Sequence, residues 1–137
     1  MSVPLVHHPD YYSDIGAHVF PTQKFALALE GIRSQANDFD KCVHVPSPAT
    51  REQLLRVHTT EYLADLEACR RTPRTLLSEL PLTRQIINAY YLMAGGTCLA
   101  ARLALEHGCA MNLGGGFPPW ARRTSASRSF AMICSAV

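Results

Sequence analysis

Residues Cys109 to Phe117 read Cys-Ala-Met-Asn-Leu-Gly-Gly-Gly-Phe, and Pro118 and Pro119 follow at once. A short apolar strand that ends in consecutive glycines lets the backbone turn tightly and approach a ligand, because glycine reaches φ values closed to other residues. Chemistry is expected next, yet the two prolines offer no side-chain ligand, no general base and no backbone N–H. A phosphate cradle over Gly114, Gly115 and Gly116 would need free N–H groups and a following helix start with Lys or Ser/Thr. The prolines remove those donors, so a small phosphate-binding α/β domain is the least favoured reading. The six histidines contain no i, i+4 pair of the kind that grips zinc from one helix face. His7 and His8 are neighbours on a strand and point to opposite faces, so they cannot share one metal. His58 reads as a packed or hydrogen-bonded structural histidine.

Six segments in order resemble the zinc-dependent histone deacetylase family, within the superfamily that also holds acetoin-utilisation proteins and acetylpolyamine amidohydrolases. The likeness is to its bacterial and class IV-like branch. Val6-His7-His8-Pro9-Asp10-Tyr11 is similar to the first strand and its loop, and Phe20-Pro21-Thr22-Gln23-Lys24-Phe25 to the next helix start. Leu54 to Leu63 resembles the family's "L…vH…Yl" segment. Leu80-Pro81-Leu82-Thr83, Gly95-Gly96-Thr97 and Ala104-Leu105-Glu106-His107-Gly108 then lead to Asn112-Leu113-Gly114-Gly115-Gly116-Phe117.

The resemblance implies an α/β fold, the amino-terminal part of a three-layer, parallel-sheet, arginase-like deacetylase domain left incomplete. It assigns residues 1–117 to that domain and 118–137 to a divergent tail. It also implies zinc held by two aspartates and a histidine, water activated on it, and an adjacent histidine pair that moves the proton. The positions of that pair are Pro118 and Pro119, and residues 118–137 contain no Asp, His or Tyr. No zinc is therefore expected on this chain, and no catalytic residue is intact. Pocket candidates by resemblance are Gly115, Gly116, Phe117 and Lys24, the last equally readable as a solvated helix-start lysine. Phe130, in a segment weakly similar to the family's "G-F-C" channel wall, is a further candidate. The implied partner is acetyl-lysine on a histone or another protein, or a related acylated amine, with a non-catalytic interaction module as the alternative.

The hypothesis for this departure is a reading-frame slip. Pro-Pro-Trp can be written CCA CCA TGG, and the same string read one base later gives CAC CAT GG, or His-His-Gly. Residues 120–129 are rich in Arg and Ser and lack the apolar period seen upstream.

These residues must be held by a domain of ordinary size. With 137 residues, 47% of them hydrophobic, the chain is too apolar to be disordered. A net charge of +2, with the arginines scattered as Arg70, Arg71 and Arg74 in one loop and Arg122, Arg123 and Arg128 in the tail, does not indicate nucleic-acid binding. No apolar run reaches the roughly 18 residues of a membrane span. His7-His8-Pro9-Asp10 interrupts any leader-like apolar stretch, and the five cysteines form no C-x-x-C pair. A cytoplasmic location, or a nuclear one, is expected rather than secretion.

The pattern alternates strand and helix. Pro4–His8 is a predicted strand, and Thr22 a predicted cap for a helix with Phe25, Leu29 and Ile32 on its inward face. Lys41–Val45 is the next strand. Thr50 and Gln53 form a capping box, and Thr60 caps a short helix carrying Tyr62, Leu63 and Leu66. Residues 70–82 form a surface loop. Thr83 to His107 is the longest helix, closed by Gly108 in a left-handed conformation. Gly95 and Gly96 inside it each cost about 1 kcal/mol against alanine, so close packing against the sheet must offset them.

Overall fold

A computed structural model describes residues 3–16, 21–35, 38–76 and 80–114. Strand β1 (Leu5–Val6) lies at the centre of a parallel sheet, flanked by β2 (Val43–His44) and β3 (Met111–Asn112) in the order β2-β1-β3. Leu5 stands opposite both Val43 and Met111, and Val6 opposite both His44 and Asn112. Parallel neighbours cannot be joined by tight hairpins, so helices fill both connections. Helices α1 (Lys24–Arg33) and α2 (Phe39–Cys42) lie between β1 and β2, while α3 (Arg51–Leu55), α4 (Thr60–Glu67) and α5 (Arg84–His107) lead to β3. This is the expected α/β class with a parallel sheet.

The 24-residue α5 is the spine of the core. Its Ile87 packs with Ala49, Leu54, Tyr62, Leu63 and Leu66. Ala89, Leu92 and Met93 meet Tyr11 and Phe25, and Ile86 and Tyr90 meet Leu80. A helix apolar round so much of its circumference must be covered on several sides, which the loops and both helical connections do.

The ends of the elements show which local signals won. Thr83 caps α5 by accepting from the Ile86 N–H, and Gly108 closes it at φ 84°. The capping box at Thr50 and Gln53 is complete, and Tyr62, Leu63 and Leu66 are all buried on α4. That helix begins one residue earlier than expected, because Thr59, not Thr60, is the cap. Thr22 does not cap α1 either. Its hydroxyl donates to the Ser13 C=O at 2.6 Å and ties the segment after Tyr11 to the helix start.

The predicted strand at 41–45 is reduced to Val43–His44, because residues 39–42 make a helical turn that buries Phe39 beneath the Arg33 guanidinium, 5.2 Å from the ring centre. The first strand is shorter than 4–8 because His8 already accepts the Asp10 N–H at 3.0 Å and starts the 3₁₀ turn Pro9–Tyr11. Nor is the 70–82 loop wholly superficial, for Thr75 and Leu80 are buried. The Thr75 hydroxyl donates to the Arg70 C=O at 2.8 Å.

The two helix glycines are close-contact positions, as anticipated, though only one faces the sheet. A side chain on Gly95 would collide with the main chain of Ser47–Ala49, just beyond β2. One on Gly96 would collide with the Tyr11 hydroxyl and Asn112 of β3.

Candidate functional site

Gly114 follows β3 at the carboxyl end of the sheet, and the backbone there is held by one asparagine. Asn112 is the polar residue in an otherwise apolar run, and its amide is fully used. Oδ1 accepts the Tyr11 hydroxyl at 3.0 Å and the Gly114 N–H at 3.2 Å. Nδ2 donates to the Met93 C=O at 3.2 Å and to Thr97 Oγ1 at 3.1 Å, and the Thr97 hydroxyl donates in turn to the Met93 C=O. Two donors and two lone pairs leave this side chain no spare capacity, which fixes both its orientation and which end is oxygen.

Tyr11 reaches the site from the 3₁₀ turn after β1. Its ring is wholly buried, edge-on to Phe25 at 6.2 Å and to His7 at 5.6 Å. Gly96 and Gly114 both press against it, and neither would tolerate a Cβ. Burial pushes the Tyr11 phenol far above its ordinary pKa, more than the hydrogen bond to Asn112 lowers it, so the hydroxyl stays protonated and remains a donor. The first amide of the glycine run is thus committed to Asn112. A phosphate cradle would need it free.

Among the expected pocket residues, Gly115, Gly116, Phe117 and Phe130 lie outside the described residues, as do Pro118 and Pro119. Lys24 is exposed at the first turn of α1, its Nζ 5.5 Å from the Phe25 ring centre. Its neighbour Phe25, rather than the ammonium, packs on Tyr11. Arg70 and Arg74 are engaged by the buried carboxylate of Asp65 at 3.0 and 3.6 Å, so this loop cluster is partly an internal ion-pair anchor. Tyr11, Asn112 and Thr97 had no assigned role from sequence. The usable signal was an asparagine inside an apolar strand, immediately before a glycine turn.

His7 is buried at the end of β1 and His58 half-buried beside the Tyr62 ring, 5.3 Å away. Both have structural surroundings, as expected. Desolvation lowers the pKa of each, with the neighbouring His8 adding to the effect at His7. The unfolded chain therefore takes up protons near pH 6.5 that the folded chain refuses, so their contribution is complete above that pH and is lost as pH falls through it. Urea midpoints measured from pH 7.5 to 5.5 should fall, and His7→Gln should flatten the decline. A midpoint independent of pH in both proteins would refute this.

The family profile described as the histone deacetylase domain matches residues 18–126, most of the chain and straight through the β3–glycine junction. The chain belongs to the histone deacetylase family. An uncharacterised protein of Picosynechococcus sp. is 35% identical over 119 residues, covering 85% of this chain and 39% of that protein. Histone deacetylase 2 of Arabidopsis thaliana is 29% identical over 107 residues, covering 73% of this chain and 28% of its own length. The deacetylase chain therefore spans well under half the length of these curated relatives.

Among the described residues of this deacetylase-family chain, no group of three His, Cys, Asp or Glu side chains gathers round a common point. That part of the chain does not fit the zinc ion the family implies. No described helix is long and apolar enough to cross a membrane.

Proposed function

We propose that this chain is the amino-terminal part of a zinc-dependent deacetylase for acetyl-lysine, on a histone or another protein, or for a related acylated amine, and that it is inactive with Pro118 and Pro119 in place. The supporting observation is where the glycine run leaves the fold. It departs at the carboxyl end of a parallel strand, where ligands of open α/β sheets sit, and the family match continues across it to residue 126. In this reading the family likeness belongs to residues 1–117, and 118–137 are a tail read out of frame. The cytosol or nucleus is the compartment that suits such a substrate.

The test is to sequence the genomic DNA and transcript from the codon for Asn112 to well past that for Val137. A corrected base count that restores His-His after Phe117 is the expected result. If the codons stand as given, the frame explanation fails and a role must come from binding. One feature favours that second reading, an interaction module. The Met111 and Leu113 N–H groups both point to β1, donating to Pro4 and Val6 C=O at 2.9 Å. By strand alternation the Asn112 main chain faces the opposite edge, where a further strand could pair.

A further inference from the structure

We propose that Tyr11 and Asn112 are positioning residues that set the direction in which the backbone leaves β3 and so aim the segment beginning at Gly115. The inference rests on the deacetylase reading for what that segment carries, but its geometry stands without it. Three elements distant in sequence converge here: the 3₁₀ turn after β1 brings Tyr11, α5 brings Met93 and Thr97, and β3 brings Asn112. They meet on one peptide, Gly114, whose N–H is received by Asn112 Oδ1.

The arrangement is more elaborate than packing requires. A buried asparagine at the end of an apolar strand costs free energy unless every polar atom is paired, and here all four are. Gly96 and Gly114 are both shaped to Tyr11, one meeting its hydroxyl and the other its ring. The ring cannot shift toward either without overlap, so the hydroxyl is fixed and fixes the amide in turn. A strand end that served only to close the sheet would need neither the hydroxyl nor the amide. A residue that must present its neighbours at one angle needs both, because a loop carrying reacting groups loses its advantage when displaced by about 1 Å.

Tyr11→Phe separates the two roles, since it keeps the ring and removes only the donor to Asn112. Amide hydrogen exchange of the full chain should show Gly114 exchanging about tenfold faster, the loss of roughly one buried hydrogen bond's restraint. Leu113, whose N–H goes to the Val6 C=O on β1, should change far less. Thr97→Val, which removes the acceptor for Asn112 Nδ2 from the opposite side, should give the same pattern and serves if Tyr11→Phe does not fold. If Gly114 and Leu113 accelerate by equal factors, the network contributes only global stability and the proposal is overturned. No change at Gly114 would overturn it as well. Neither outcome depends on the DNA sequence after Phe117, so this proposal and the deacetylase reading can fail separately.

Discussion

Assayed with zinc on an acetyl-lysine peptide, the protein as encoded should release no acetate above the enzyme-free blank, whereas a frame-corrected version should turn over at least about 10²-fold faster. On the proposed reading, proton transfer to and from the reacting centre belongs to two histidines after Phe117. A positioned general acid–base typically contributes 10²–10⁴-fold, and proline can neither accept nor return a proton. The expectation holds whatever follows Val137, because ligands further along would not restore the base. Zinc-dependent turnover by the protein carrying Pro118 and Pro119 would sink it.

The codons constrain what the corrected gene must look like. Methionine is only ATG and every isoleucine codon begins AT, so Met132-Ile133 read one base later contains TGA, a stop. A single slip after Phe117 would therefore end the protein there. The original frame has to be regained upstream, and Ser129-Phe130-Ala131, similar to the family's "G-F-C" in the frame as given, puts that point before Ser129. The expected DNA result is a pair of compensating changes, an extra base beside the codon for Phe117 and a lost one before that for Ser129. Finding only one of the two would refute this account.

How much of the fold was legible depended on whether a signal was local. Thr83 and Gly108 bracket α5 because a cap hydroxyl and a left-handed glycine act within one turn of the residues they serve. Thr50 and Gln53 are legible for the same reason. Threonine pairs are harder: Thr59 and Thr60 are chemically equal, and only the packing of Tyr62 and Leu63 decides which lies outside the helix. The 41–45 stretch was misread because Phe39 supplies the deciding force from outside the window, drawing the chain into a helical turn. The site followed the same rule. The glycine run is visible as a turn, but Tyr11 and Asn112 lie 101 positions apart and only the parallel pairing of β1 with β3 brings them together. Gly95 and Gly96 announced close contacts without naming the partners, since a missing side chain records that something is near and not what it is.

Gly95→Ala should destabilise the chain by about 2–3 kcal/mol, while Gly31→Ala should stabilise it by up to about 1 kcal/mol, although both replace a helix glycine with the best helix former. Helix propensity alone would give both the same sign. The difference lies in what the new methyl meets. At Gly31, on α1, no other atom lies within 4 Å. At Gly95 the methyl would fall onto the Ser47 carbonyl oxygen, within 2.8 Å of the Ala49 nitrogen and 3.0 Å of the Pro48 carbonyl carbon. These are main-chain atoms and cannot rotate away. Pro46 and Pro48 stiffen the segment, and the Ala49 N–H donates to the Tyr91 C=O of α5 at 2.8 Å, binding the loop to the helix that must move. Urea midpoints at unchanged m-value measure both effects. A Gly95→Ala protein as stable as Gly31→Ala would show that the loop after β2 yields freely. It would then not be what seats α5 against the chain leaving β2, and the placement of β3 would have to come from the sheet and Tyr11 alone.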